Sequence, residues 1–269
     1  MTENTTDIDF KFLKLERVDP GILVIKISRP SVLNALNAEV LTELKTLLVE
    51  VAENPKTRVV VLTGDGDKAF IAGADINEMK DKSAGDGVQF AQLGHEVSKL
   101  LQLMRKTTIA AVNGYALGGG IEMALSCDFI IASEKAVFGQ PEVGLGIIPG
   151  FGGTVRLPKF VGLPRAKEMI FSGRRYKAEE ALAIGLVNAI YPSGEFMEKV
   201  LELAKTISQQ SLPAIAYAKQ LLNEFSESAG LSFKLDAEAM AFGQLFGTHD
   251  QQEGMGAFVE KRKPKFQGL

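Results

Sequence analysis

The sequence predicts an α/β fold, with repeated strand–strand–helix units over residues 1–195 and an all-helical region over 196–269. Three observations predict it. Two continuous apolar runs, Val59-Val60-Val61-Leu62 and Ile109-Ala110-Ala111-Val112, read as strands covered on both faces. Around them lie segments whose apolar residues recur at the helical period. From Glu195 onward the pattern is helical and no strand is recognisable.

Taken in order, residues 12–16 and 22–28 read as strands joined by a turn at Asp19-Pro20-Gly21, where proline and glycine supply the turn dihedrals. Asn37 can cap a helix through Val40, Leu41, Leu44, Leu47, Leu48 and Val51, which Asn54-Pro55 ends. The strand at 59–62 is followed by a loop at 64–68, a segment at 70–76, and a second helix through Leu93, Val97, Leu100, Leu101 and Met104. The strand at 109–112 runs into a glycine cluster and a helix at 121–126, then short strands at 129–131 and 136–138. Helices are predicted at 196–208, 214–225 and 231–246, with a last one opened by a Thr248…Gln251 capping box. A helical stretch of this length without a sheet makes a poor independent domain. It is expected to pack on its own body or on a neighbouring subunit, so an oligomer is expected.

Composition removes several function classes. Thirty Lys and Arg against 33 Asp and Glu give a net charge of −3, with no basic excess to hold nucleic acid. One cysteine, Cys127, excludes an internal disulfide and a multi-cysteine zinc site, and its apolar helix marks it as a small core residue. Only two histidines, His95 and His249, are present, both in polar helical surroundings, so neither a zinc site nor a Ser-His-Asp triad is expected. The first residues, MTENTTDIDFKF, lack the basic-then-apolar order of an export signal. The longest charge-free run, 107–121, is 15 residues, short of the roughly 20 needed to span a bilayer. A cytoplasmic protein with no membrane partner is expected.

Three segments can carry chemistry. The first is NGYALGGGIE, residues 113–122, where a strand meets a helix start. Three successive glycines suit a backbone with positive φ or a close approach, and free N–H groups at a helix start suit an oxyanion or a phosphate. A tight turn with Glu122 beside the helix dipole is the alternative. GxxxxGK[ST] and GxGxxG spacings are both absent, so nucleotide phosphate loops drop out. The second segment runs from 136 to 155, where Glu142 is the one ionisable residue. Among Pro, Val, Gly, Leu and Ile its carboxyl is either desolvated and readied for proton transfer, or simply a solvated loop glutamate. The third, KAFIAGADI at 68–76, offers small residues that bring N–H groups near a ligand, or a turn capped by Asp75. No G-x-S-x-G elbow occurs.

Together these segments resemble the crotonase (enoyl-CoA hydratase/isomerase) family, over nearly the whole chain. The stretches that carry the likeness are IAAVNGYALGGGIEMALSCDFIIAS (109–133), FGQPEVGLGIIPGFGGTVRLP (138–158), KAFIAGADI (68–76) and RPSVLNALN (29–37), with EGMGAFVEKRKPKF (253–266) similar to the family tail. The resemblance implies a spiral of ββα turns followed by a helical region that makes trimer contacts, usually as a dimer of trimers. It implies that the N–H groups of Ala74 and Gly119 hold the thioester carbonyl of an acyl-CoA. Glutamates stand at both family positions, Glu122 and Glu142, which implies hydration of a trans-2-enoyl-CoA, with Glu122 deprotonating water and Glu142 supplying the proton to C2. Gly150 is implied to help hold that water. Substrate contacts are implied at Ser31, Val32, Leu33, Ala72, Ala74, Asp75, Ile76, Tyr115, Gly119 and Pro141, and Lys261, Lys263 and Lys265 are offered to the CoA phosphates. No metal or cofactor beyond the substrate's own CoA is implied. The segment 77–88, which should wall the acyl pocket, departs from the family in being polar. An isomerase of the same family, or a non-catalytic acyl-CoA- or RNA-binding member, is the rival reading.

Overall fold

Leu13–Val18 (β1) and Ile22–Ile27 (β2) form an antiparallel hairpin, with Gly21 at φ 68° in its turn. The computed structural model describes residues 9–18, 20–224 and 230–269, so Asp19 of the expected turn and Phe225 of an expected helix lie outside the described residues. Asn37 caps Ala38–Glu53 (α1) as expected, its side chain accepting from the Val40 N–H at 2.9 Å. Its six predicted apolar positions are all buried.

Each of the next three passes of the chain lays one strand in each of two sheets before its helices. The first pass gives Val59–Gly64 (β3) and Ala69–Ile71 (β4), then Ile76–Met79 (α2) and Ala84–Leu103 (α3). The second gives Thr107–Val112 (β5), Tyr115–Leu117 (β6) and Gly119–Ala124 (α4). The third gives Phe129–Ser133 (β7), Val137–Gly139 (β8), Gly153–Val161 (α5) and Leu163–Ser172 (α6). The last pass holds Arg175–Lys177 (β9), Ala178–Ala183 (α7) and Ala189–Tyr191 (β10). The larger sheet, ordered β1-β2-β3-β5-β7-β10, is parallel except at β1, and the smaller, ordered β4-β6-β8-β9, is parallel except at β9. These are the ββα turns the resemblance implies. Four strands, β4, β6, β9 and β10, are not visible in the sequence pattern; each is three residues long and too short to show a period.

Alternation divides the larger sheet's side chains between two cores. Leu23, Ile25, Val60, Leu62, Ala110 and Ile130 point to the main core with α1 and α3. Ile22, Val24, Val59, Val61, Ile109 and Ile131 point the other way, where Phe196, Val200 and Ala204 of Phe196–Ser208 (α8) cover them. Both faces of the sheet are therefore buried, which is why its strands read as unbroken apolar runs.

Helices Leu212–Glu224 (α9), Leu231–Leu245 (α10) and His249–Val259 (α11) follow, and Thr248 caps the last by accepting from the Gln251 N–H. Buried Lys219 fastens α9 to the body, donating to the carbonyls of Leu101 (3.3 Å) and Lys106 (2.9 Å) and to the Asp128 carboxylate (2.9 Å). Neighbouring Cys127 is buried, and burial pushes its thiol up to about 12, so it is an inert core residue. No helix among the described residues is long and apolar enough to cross a membrane.

Candidate active site

Strands β4, β6 and β8 run parallel and end at one edge of the smaller sheet. The segments leaving those ends, 72–75, 118–122 and 140–142, meet around a cavity of about 750 Å³. That is the size of a small-molecule site, placed beyond the carboxyl ends of parallel strands as in other α/β sheets.

The segment after β4 is strapped to the loop at 29–37. The Ala72 N–H donates to the Leu33 carbonyl (3.1 Å), the Leu36 N–H to Gly73 (2.9 Å) and the Asp75 N–H to Leu36 (2.7 Å). This bridge turns the Ala74 N–H away from Leu36. Arg29 completes the strap, pairing with Asp75 at 3.0 Å and donating to the Ala35 carbonyl at 2.6 Å. Asp75 also caps α2 through the Asn77 N–H.

After β6, the three glycines do different work. Gly118 has φ 50° and ψ −123°, a conformation L side chains rarely adopt. Gly119 opens α4, so its N–H belongs to the first turn and has no intrahelical acceptor. Gly120 packs on β4 so closely that a Cβ would lie 1.9 Å from the Ile71 carbonyl. Glu122 follows one turn on, 1% exposed. Its Oε1 accepts from the N–H groups of Phe151 (2.8 Å) and Gly153 (2.6 Å). Burial raises its pKa, and those two N–H groups, the Arg156 charge and the Gly150 N–H pull it back down.

After β8, Glu142 opens a short 3-10 turn, Glu142–Leu145, behind Pro141 and is 7% exposed. Burial, with the nearby Glu122 charge adding to it, pushes its pKa up to about 7. The amide of Gln140, fully buried, lies against it; with its nitrogen toward Glu142 it donates to Oε1 at 2.9 Å and Oε2 at 3.0 Å. Two carboxyls thus face one cavity in unequal settings, Glu122 held by backbone donors and Glu142 more weakly stabilised as an anion. Such a pair is set to act one as base and the other as acid.

Of the residues singled out in the sequence, Ala72, Ala74, Ile76, Gly119, Glu122, Pro141, Glu142 and Gly150 line this cavity. Ser31, Val32, Leu33, Asp75 and Tyr115 are not among its lining residues. Ser31–Leu33 flank it through the strap, and Tyr115 lies under the Arg175 guanidinium, 6.0 Å from its ring centre. Lys261, Lys263 and Lys265 are exposed near the C-terminus, away from the cavity lining. His95 and His249 do not line it, and no group of His, Cys, Asp and Glu suited to a metal ion exists among the described residues.

Sequence reasoning missed much of the wall. Met79, Lys82, Ser83, Ala84 and Gly87 from the polar segment 77–88 do line the cavity, but its apolar surface comes from Phe90, Leu117, Leu145, Ile147, Ile148 and Phe151. Phe90 and Phe151 meet edge to face at 5.3 Å. Gly94 makes room for them, since a Cβ there would fall 2.1 Å from the Phe151 ring. The signal was the position of Phe90 as the first aromatic residue of α3.

Comparison with known proteins agrees with this geometry. The sequence profile described as enoyl-CoA hydratase/isomerase matches residues 17–269. The chain is 47% identical over 242 residues to a short-chain-enoyl-CoA hydratase of Clostridium acetobutylicum, covering 90% of this chain and 92% of that one. It is 45% identical over 245 residues to a crotonyl-CoA hydratase of Syntrophomonas wolfei, covering 91% and 94%. A crystal structure of enoyl-CoA hydratase from Bacillus anthracis superposes with a TM-score of 0.93 at 37% identity, covering 96% of this chain and 100% of that one. With two buried glutamates at the ends of adjacent parallel strands and relatives matched along nearly its full length, this chain belongs to the enoyl-CoA hydratase/isomerase family and has the crotonase fold.

Proposed function

We propose that the protein is an enoyl-CoA hydratase that adds water, reversibly and syn, across the C2=C3 bond of a trans-2-enoyl-CoA to give a 3-hydroxyacyl-CoA. The observation that carries this reading is the pair of buried carboxyls, Glu122 and Glu142, facing one apolar cavity. Both named hydratase relatives support it.

The N–H groups of Ala74 and Gly119 bind the thioester carbonyl and stabilise the enolate that forms from it. Each such donor is worth roughly 2.7–4 kcal/mol in the transition state. Glu122 uses Oε1 for Phe151 and Gly153, which leaves Oε2 for a water; the Gly150 N–H, which reaches the same carboxyl, helps to hold that water. As Glu122 takes a proton from that water, its oxygen bonds to C3 and the π electrons move into the enolate. Protonated Glu142 then delivers its proton to C2 and the carbonyl re-forms. The cycle ends with Glu122 protonated and Glu142 ionised, and proton exchange with solvent restores the starting state. This chemistry needs no metal or redox group, and CoA enters as part of the substrate.

The Leu33 and Asp75 strap carries the loop along which the pantetheine runs, and Lys261, Lys263 and Lys265 are offered to the CoA phosphates. We further read the protein as a cytoplasmic homotrimer or dimer of trimers, assembled through residues 196–269. Exposed Phe233, Phe242 and Phe258 on α10 and α11 support the assembly, which light scattering after gel filtration would test.

The decisive experiment follows loss of the conjugated enone thioester absorbance of crotonyl-CoA. Rapid loss is expected for the wild type, with falls of about a hundredfold or more in Glu122→Gln and Glu142→Gln. A flat trace from a protein that still binds CoA esters would overturn the hydratase reading.

A further inference from the structure

Arg156 does not line the catalytic cavity; it lies on the far side of α5, in the groove between α5 and α9. Its Nη1 donates to the Phe151 carbonyl at 3.0 Å, while the Phe151 N–H donates to Glu122 at 2.8 Å. Phe151 is thus clamped at both of its backbone polar groups, by a guanidinium on one side and a carboxylate on the other. The guanidinium is itself anchored, since Nε donates to Gln102 Oε1 at 3.0 Å. The Gln102 carbonyl in turn accepts from the Asn223 amide of α9 at 3.0 Å. Gly152 fits this packing: its φ is 107°, and a Cβ there would lie 2.1 Å from Nη1 of Arg156.

We propose that Arg156 is a positioning residue for hydration, fixing the 151–153 turn so that its N–H groups hold the Glu122 carboxylate toward the water. This rests on the assignment of Glu122 as the base. Arg156 is a cation whose charge acts on Glu122 through space, and Glu142 is the carboxyl whose charge is coupled to it. The strands packed against α4, namely β4, β5 and β6, bring no ionisable side chain except the Tyr115 phenol. The second cation of α5, Lys159, lines the groove toward α9. Without Arg156, Glu122 keeps its burial and loses both a positive charge and the rigidity of its donors. Its carboxyl then holds a proton to higher pH.

The test measures the pH dependence of crotonyl-CoA hydration for the wild type, Arg156→Met, Arg156→Lys, Gln102→Leu and Glu122→Gln, with circular dichroism and thermal midpoints as fold controls. Arg156→Met is expected to lower kcat at least tenfold with KM little changed. The acid limb of kcat/KM should move upward by about one pH unit or more. Arg156→Lys keeps the charge without the planar fork and should restore most of the limb but only part of kcat. Equal loss of rate at every pH, with the limb unmoved, would overturn the proposal, because scaffold damage alone does not retitrate a carboxyl. If Arg156→Met does not fold, Arg156→Lys and Gln102→Leu decide: wild-type kcat in both overturns it, and a lowered kcat at constant KM in both supports it. A Glu122→Gln variant as fast as the wild type would instead overturn the assignment of Glu122, an outcome distinct from an inactive Glu122→Gln beside an unshifted Arg156→Met.

Discussion

Gly118 lies against the Glu142 carboxyl, and a Cβ on Gly118 would fall 2.9 Å from Oε1 of Glu142 and push it aside. With φ at 50° and ψ at −123°, the residue is also in a conformation costly to any L side chain. Gly118→Ala is therefore expected to lose about 1–3 kcal/mol of stability and at least tenfold in kcat/KM, through displacement of the carboxyl. Urea unfolding and crotonyl-CoA hydration measure the two effects, and wild-type activity would show that the contact does not matter.

The pKa of Glu142, pushed up to about 7, sets the same upper pH limit on both reaction directions. Hydration needs the acid form, so its rate should fall above pH 7. Dehydration of the 3-hydroxyacyl thioester needs Glu142 ionised and Glu122 protonated, a form with the same single proton, so its kcat/KM should fall over the same range. The folded protein also holds this proton more tightly than the unfolded chain does. Stability contributed at low pH is accordingly lost as pH rises from about 4.5 to 7, and Glu142→Gln should gain roughly 2–3 kcal/mol relative to wild type between pH 4 and pH 8. Chemical denaturation at the two pH values measures it, and a pH-independent difference would refute it.

Asn34 is a buried joint beneath the substrate loop. Its Oδ1 accepts from the Arg29 N–H at 2.9 Å, and its Nδ2 donates to the carbonyls of Asp65 (3.0 Å) and Ala69 (2.9 Å). It also sits at φ 59°, where asparagine is among the few tolerated side chains. Asn34→Ala should cost about 2–4 kcal/mol, as buried backbone groups lose their partner. A thermal midpoint within a degree of wild type would contradict this.

Phe90, packed edge to face on Phe151, bounds the cavity on the α3 side. Phe90→Ala should lengthen the space available to the acyl chain, raising the kcat/KM ratio of trans-2-octenoyl-CoA over crotonyl-CoA by about tenfold. An unchanged ratio would mean that the acyl tail runs elsewhere.

What was legible in the sequence follows from side-chain identity and period. Strands β3 and β5 announce themselves because burial on both faces makes them unbroken apolar runs, and Asn37 and the apolar stripe of α1 because each needs a particular residue type at a particular spacing. The glycine cluster and the isolated Glu122 and Glu142 stand out for the same reason. The donors that hold Glu122 do not, because the N–H of Phe151 would be equally available from almost any residue. Arg156 was hidden differently: it acts by way of a carbonyl five residues earlier, a link that no pattern along the chain reveals. Likewise β9 joins its sheet by pairing with β8, some forty residues away by rough count, and only that pairing makes three residues a strand.

The parallel strand ends described above separate two tasks that most sites must solve together. Ala74, Gly119 and Glu142 hang from neighbouring strands about 4.8 Å apart, held there by backbone hydrogen bonds that ignore side-chain identity. On the function proposed above, the groups that hold the anion are main chain, and the groups that handle protons are side chains just beyond it. Exchanging a residue at 122 or 142 therefore edits where protons go without dismantling the enolate's cradle. On that reading the scaffold is a socket with replaceable contacts, whose side chains at 122 and 142 can change while the strand ends that face the thioester keep their place.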